Sequence, residues 1–131
     1  MPILKDIIII ELAKYLILTV AIHAALSAEV YAQTEPVGKA SYYADRFEGR
    51  KTACGELYCS DSLTAAHRTL PFGTKVKVTH IKNNNCVVVR INDRGPHVPG
   101  RTLDLSRKAM ELLDGIAEGV IEVKIEIVLE E

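Results

Sequence analysis

Apolar and polar residues alternate over several short segments of the chain, which is the pattern of a half-buried β-strand. Segment 75–79 alternates strictly, and segment 38–43 mixes small and aromatic residues as a strand allows. Segment 86–91 is rich in valine and predicts a strand buried on both faces. In the last predicted strand, 120–128, four side chains are expected to face inward: Ile121, Val123, Ile125 and Ile127.

Turn residues separate these strands, and one short helix stands among them. The turns are predicted at Pro-Phe-Gly 71–73 and at the three asparagines 83–85. Ser106 can cap the helix and Gly115 can end it. The sequence therefore predicts a mainly β domain, and a barrel is favoured because a small open sheet would leave two unpaired edges.

The first thirty-odd residues predict an export signal. Lys5 precedes two apolar stretches, and Val30-Tyr31-Ala32 offers a small residue for cleavage. An uncleaved membrane anchor would need about 20 continuous apolar residues, whereas Glu11 and Lys14 interrupt the run. We therefore expect a protein exported to the periplasm or the cell exterior, with a signal peptide at 1–32, a linker at 33–37 and one domain at 38–131.

The charges are unevenly distributed although the formal net charge is only −1. Residues 38–108 hold 13 basic and 6 acidic side chains, whereas residues 109–131 hold 1 basic and 7 acidic ones. The basic residues are scattered among turns and form no run with interleaved aromatics, so nucleic acid is not an expected partner.

Three cysteines leave one thiol over in any pairing. Cys54 with Cys86 is the preferred disulfide because it would join distant segments. The alternative pair, Cys54 with Cys59, would close only a short loop. The spacings of the cysteines and histidines match no zinc pattern, and no phosphate-binding loop is present, so neither a metal nor a cofactor is expected.

Three polar residues are candidates for chemistry. Asp93 directly follows the valine-rich strand, where a rigid element would hold an acid in place; the alternative is a turn aspartate bonded to backbone amides. Glu56 lies in a glycine-containing loop and can equally be an ordinary surface residue. His67 can donate a hydrogen bond to a sugar or a carboxylate, or serve as a structural histidine.

Six motifs follow one another in order, and together they resemble the rare lipoprotein A family from residue 38 to about 128. The motifs are Gly38-Lys39-Ala40-Ser41-Tyr42-Tyr43, Phe47-Glu48-Gly49-Arg50-Lys51-Thr52-Ala53, Gly55-Glu56, Leu63-Thr64-Ala65-Ala66-His67, Leu70-Pro71-Phe72-Gly73-Thr74, and Asn92-Asp93-Arg94-Gly95-Pro96 with Asp104-Leu105-Ser106.

The resemblance implies a six-stranded double-psi β-barrel, as in expansins, and a lytic transglycosylase acting on peptidoglycan glycan strands stripped of stem peptides. By motif, Asp93 is the expected acid, Glu56 the second carboxylate and His67 a supporting catalytic residue. Three further residues are expected to bind substrate: Arg94, Asp104 and Tyr43. The family's two-carboxylate logic is related to that of glycosidases.

Three departures from the family pattern keep an alternative open. Cys54 replaces the usual asparagine of the Thr-Ala-Asn-Gly-Glu motif, no lipid-attachment cysteine follows the signal, and no C-terminal peptidoglycan-binding repeat is present. The alternative is a non-catalytic, expansin-like module that binds glycan or loosens the wall. In either case we expect a monomer that is not inserted in the membrane after signal cleavage.

Overall fold

The computed structural model describes residues 2–32 and 37–129. The chain divides into two compact units, Met1–Thr34 and Glu35–Glu131. The first unit contains helix α1 (Pro2–Ala32), and its stretch Ile3–Ala25 is long and apolar enough to cross a membrane, a test that signal sequences also pass. The predicted cleavage site falls in the last turn of α1. Most of the predicted linker, 33–36, lies outside the described residues.

Six strands of the second unit close into a barrel, which confirms the predicted fold class. The strands are β1 (Val37–Tyr42), β2 (Thr64–Ala66), β3 (Lys75–His80), β4 (Cys86–Asp93), β5 (Leu103–Leu105) and β6 (Ile121–Ile127), with the short helix α2 (Arg107–Leu112) between the last two. Their order around the barrel is β1-β5-β2-β4-β3-β6. The pairs β1/β5 and β2/β4 are parallel and the other four are antiparallel. Residues Asp45–Phe47 add one 3-10 turn after β1.

The barrel core is filled by the inward faces of these strands. In β6 the residues Ile121, Val123 and Ile125 are buried and their charged neighbours are exposed, as the alternation predicts. Strand β4 corrects a prediction, because it is not buried on both faces: Val87 and Val89 are in the core, but Val88 is 43% exposed. The reason is that β4 pairs with antiparallel β3 in a single barrel wall whose outer face meets solvent.

Helix α2 begins where the sequence predicts, but the left-handed residue that follows it is Asp114 rather than the predicted Gly115. The Ser106 hydroxyl accepts the N–H of Ala109 as an N-cap. At the other end Asp114, with φ 54°, is the left-handed residue, and Gly115 donates its N–H to the Met110 carbonyl at 3.1 Å. Gly115 is needed for space, because a Cβ there would lie 2.5 Å from the Met110 sulfur.

The preferred disulfide is wrong, because Cys54, Cys59 and Cys86 are all free. The Cys54 N–H bonds the carbonyl of Asn92, near the end of β4, whereas Cys86 begins that strand. Six residues of strand separate the two positions by about 20 Å, far beyond the roughly 7 Å that a disulfide spans. A sequence reveals which cysteines are distant along the chain, but not which ends of a strand they occupy.

Candidate functional site

Asp93 is the last residue of β4, and its two carboxylate oxygens have different environments. Oδ1 accepts the backbone N–H groups of Ala53 at 2.8 Å and Arg94 at 2.9 Å. Oδ2 accepts the phenol of Tyr43 at 2.5 Å. Both acceptor positions of Oδ1 are therefore used within the protein, while among the described residues Oδ2 has a single partner and keeps an acceptor position for a ligand.

The loop after β1 delivers one of these donors to Asp93. It folds as a hairpin, with a bridge between Lys51 and Leu57 and a tight turn at Gly55, whose φ of 98° favours glycine. The Cys54 N–H bonds the Asn92 carbonyl at 3.2 Å, which fixes the hairpin tip against the end of β4. The Ala53 N–H consequently points at the Asp93 carboxylate.

Glu56 lies in the same hairpin, but its carboxylate is paired. Arg90 of β4 donates two hydrogen bonds to it, at 2.6 and 2.7 Å. These hydrogen bonds are the main cause that lowers the pKa of Glu56 below its ordinary value of 4.5. Glu56 is therefore a fixed anion at neutral pH, and this excludes it as a proton donor.

His67 follows β2 and has a defined tautomer. Its Nδ1 accepts the backbone N–H groups of Thr69 at 3.1 Å and Leu70 at 3.0 Å, which leaves the ring proton on Nε2. Burial, reinforced by the charges of Arg68 and Arg94, lowers the pKa of His67 below 6.5. The imidazole is thus neutral at pH 7 and offers one N–H donor. Its own backbone N–H bonds the Asp93 carbonyl at 3.2 Å.

Arg94 makes contacts that hold the site's framework. Its Nη1 donates to the carbonyls of His67 at 3.2 Å and Leu70 at 2.8 Å. The guanidinium carbon lies 4.0 Å from the centre of the Phe72 ring, in a cation–π contact. Phe72 is 43% exposed, so part of its ring meets solvent beside the Arg94 guanidinium.

Asp104 lies in the same row of the barrel wall as Asp93. Ser41, Asp104, Ala66 and Asp93 are register partners across β1, β5, β2 and β4. Two strand spacings separate the two aspartate Cα atoms by about 10 Å. The Ser41 hydroxyl donates a short hydrogen bond to Asp104. Ala66, which is buried, is the register partner of both aspartates.

Tyr43 belongs to an aromatic cluster beneath the hairpin. Its ring centre lies 4.4 Å from that of Tyr58 and 5.7 Å from that of Phe47. Burial and then the hydrogen bond to Asp93 raise the pKa of the Tyr43 phenol above 10.0. The phenol is therefore a neutral donor under ordinary conditions.

The structure thus brings Asp93, Tyr43, His67 and Arg94 together, with Asp104 one strand beyond Ala66. Glu56 is joined to this group through its hairpin, and its carboxylate turns to Arg90. The sequence analysis did not predict three residues of the site: Arg90, Tyr58 and Phe72. For Phe72 the signal was its place in the Leu-Pro-Phe-Gly-Thr motif, but no pattern in the sequence marks Arg90. Within the described part of the chain, no three His, Cys, Asp or Glu side chains could hold a metal ion together.

The barrel unit is similar to known proteins along its length. The family model described as "Lytic transglycolase" matches residues 35–125. A protein of Treponema pallidum named "Probable endolytic peptidoglycan transglycosylase RlpA" is 52% identical over 90 residues, which are 69% of this chain and 28% of that protein. The "Endolytic peptidoglycan transglycosylase RlpA" of Campylobacter jejuni is 50% identical over 91 residues, 70% of this chain and 33% of that protein. The chain thus spans about a third or less of these relatives.

Solved structures share the barrel. The Streptomyces papain inhibitor superposes with a TM-score of 0.53 at 28% identity, covering 68% of this chain and 91% of that one. An expansin of Clavibacter michiganensis gives a TM-score of 0.58 at 24% identity, covering 73% of this chain and 51% of that one, and shows likeness of fold alone. The barrel is of the double-psi type. With a family model that matches most of the chain and half of the residues identical to these relatives across the domain, the chain belongs to the lytic transglycolase family, the rare lipoprotein A proteins among them.

Proposed function

We propose that this chain is an endolytic peptidoglycan transglycosylase. It would cleave the bond between N-acetylmuramic acid and N-acetylglucosamine in naked glycan strands and leave 1,6-anhydro-muramic ends. The observation that carries the proposal is the asymmetric Asp93 carboxyl, with Oδ1 bonded to two backbone amides and Oδ2 bonded, among the described residues, to the Tyr43 phenol alone. The family and the relatives' names support the same reaction.

In the proposed mechanism one carboxyl serves both proton transfers. Oδ2 of Asp93 protonates the glycosidic oxygen as the bond from that oxygen to the muramic anomeric carbon breaks. The carboxylate so formed then takes the proton of the muramic 6-hydroxyl, whose oxygen forms the new bond to the anomeric carbon. Asp93 ends protonated, as it began, and no water enters the products.

The neighbouring groups would support this cycle without exchanging protons. Glu56, held ionised by Arg90, would stabilise the positive charge that develops on the sugar ring. His67 would donate from Nε2 to a sugar oxygen. Arg94, Asp104 and Tyr43 are the proposed substrate contacts, and the exposed face of Phe72 adds an apolar surface for a sugar ring.

The cellular setting is part of the same proposal. Helix α1 would act as a signal for export to the periplasm or the cell exterior, where glycan strands are found. After cleavage the barrel would act as a monomer that is not inserted in the membrane, and it would bind glycan rather than nucleic acid.

A second candidate is a non-catalytic, expansin-like glycan-binding module. One observation favours it: the Glu56 carboxylate already accepts two hydrogen bonds from Arg90, so Glu56 is not free to act on the sugar in this conformation. In that case the row from Ser41 to Asp93 would bind a glycan strand without breaking it.

Mass spectrometry of the fragments released from peptidoglycan strands distinguishes the two candidate functions. The full chain, kept soluble in mild detergent, is incubated with strands carrying or lacking stem peptides, alongside Asp93→Asn and Glu56→Gln variants. Anhydro-muramic ends that appear with the native chain and vanish with Asp93→Asn would establish the enzyme and its acid. Folded chain that binds the strands yet releases no fragments would establish the binding module instead.

A further inference from the structure

Tyr43 is the only side chain among the described residues that bonds the reactive oxygen of Asp93. It follows β1 directly, and its backbone N–H bonds the Leu105 carbonyl at 3.0 Å, so the barrel fixes its position. Its phenol lies 2.5 Å from Oδ2 of Asp93. We propose that Tyr43 is a positioning residue that sets the orientation and charge balance of Asp93 Oδ2 during proton transfer. This inference rests on the proposed transglycosylase function and adds to the substrate contact expected of Tyr43.

The aromatic cluster keeps this phenol in place. Tyr58, which is 3% exposed, packs against the Tyr43 ring, and its own hydroxyl accepts the N–H of Arg107 at the start of α2, at 3.2 Å. Phe47 covers Tyr43 from the side at an interplanar angle of 70°. Little of the Tyr43 ring is therefore left for stacking on a sugar, while its hydroxyl is directed at Asp93.

The hydrogen bond acts differently on the two protonation states of Asp93. A neutral phenol donates a stronger hydrogen bond to a carboxylate than to a carboxylic acid. The bond thus strengthens as Oδ2 gives its proton to the glycosidic oxygen, and it weakens when Oδ2 takes the proton of the muramic 6-hydroxyl. Tyr43 keeps its own proton in both steps, because burial raises the pKa of its phenol. An interaction that grows toward the transition state of the first step accelerates that step.

The test compares Tyr43→Phe with Tyr42→Phe in the full chain, kept soluble in mild detergent, on glycan strands lacking stem peptides. Each variant loses one phenol oxygen, and Tyr42, the neighbouring residue, packs against the barrel core. For Tyr43→Phe we expect kcat to fall about tenfold or more with KM within about twofold, because a hydrogen bond to a charged group is lost. The alkaline limb of the pH profile should move to higher pH, because Asp93 must begin protonated and its carboxylate form loses a hydrogen-bond donor. Tyr42→Phe should match the native chain in all three.

A second measurement keeps the inference testable whatever the catalytic result. Carbon-13 NMR of the Asp93 carboxyl, with Asp93→Asn to assign the signal, should show a titration midpoint at higher pH in Tyr43→Phe than in the native chain or Tyr42→Phe. If the native chain releases no anhydro ends, the proposed function fails, and the midpoint still decides whether Tyr43 controls Asp93. An unchanged midpoint, or a raised KM with unchanged kcat, would overturn the inference.

Discussion

The Asp93 carboxyl accepts hydrogen bonds from two residues that are distant in the sequence and from the residue that follows it. Its donors are Tyr43, Ala53 and Arg94, from three separate segments. Motifs sufficed to mark Asp93 and Glu56, because both lie in dense polar segments beside glycines. They could not reveal that Arg90 forms an ion pair with Glu56. Arg90 lies in a valine-rich strand, and the direction of its side chain depends on the register of β4 with β2.

His67 makes stability pH-dependent with a defined sign. Its pKa lies below 6.5 in the folded chain, so between the two values the unfolded chain binds more protons. Stability therefore falls as the pH drops from about 6.5 through the lower folded pKa. In His67→Asn, whose Oδ1 stands where Nδ1 accepts and does not titrate, urea unfolding midpoints should fall less over this range. The exposed His97→Asn is the control, and equal slopes in both variants would contradict the assignment.

Arg90 should matter to turnover through the orientation of Glu56. Arg90→Lys keeps the charge but replaces a bidentate guanidinium by a flexible ammonium. The release of anhydro ends should therefore fall about threefold to tenfold. The pKa of the Glu56 carboxyl should rise toward 4.5, which NMR can follow. Lys77→Arg, an exposed change on β3, serves as the matched control. A native rate in Arg90→Lys would mean that the ion pair is only structural.

At the level of elements, alternation predicted β3 and β6 well, but the sequence pattern of β4 gave the wrong burial for one of its two faces. Segments β3 and β6 show a strict period of two, and their buried faces follow it. In β4, three consecutive valines show no alternation of apolar and polar residues. The sequence alone therefore could not distinguish a strand with one solvent-exposed face from a strand buried on both faces. The cysteine pairing failed for a related reason, since it depends on which end of β4 each cysteine meets.

The two faces of β4 should respond differently to truncation. Ile91 is fully buried, whereas Val88 is 43% exposed on the outer wall. Ile91→Ala should cost about 2–5 kcal/mol in the free energy of unfolding, because it opens a cavity in a packed core. Val88→Ala should change it by about 0.5 kcal/mol or less. Urea denaturation measures both, and a large loss in Val88→Ala would show that the outer face of β4 is covered.

For the molecule as a whole, the barrel unit carries all the candidate site residues and its own core. The unit Glu35–Glu131 contains the six strands and a hydrophobic cluster of its own. The double-psi topology was predictable only through family motifs, because alternation gives the strands but not their order around a barrel. Strands β2 and β5, of three residues each, are too short to show any periodicity.

A chain lacking residues 1–34 should therefore fold alone. Its far-ultraviolet circular dichroism should show the β spectrum of the barrel, and its thermal midpoint should match that of the full chain in detergent to within about 3 °C, because a separate core is left intact. The same truncation combined with Ile91→Ala is a destabilised reference. A truncated chain without a cooperative transition would show that α1 is needed for folding.

The pairing of β1 with β6 joins the first strand of the barrel to the last, with Val37 opposite Lys124. The other partner of β1, which is β5, is also late in the sequence, so a nascent chain emerging N-terminus first holds β1 without its partner strands until nearly the whole domain has appeared. Contacts so far apart in sequence slow folding, because a long loop must close before they form. The barrel that positions the donors of Asp93 is completed only after the last strand has been made, so the candidate site forms as a single late event rather than growing with chain length.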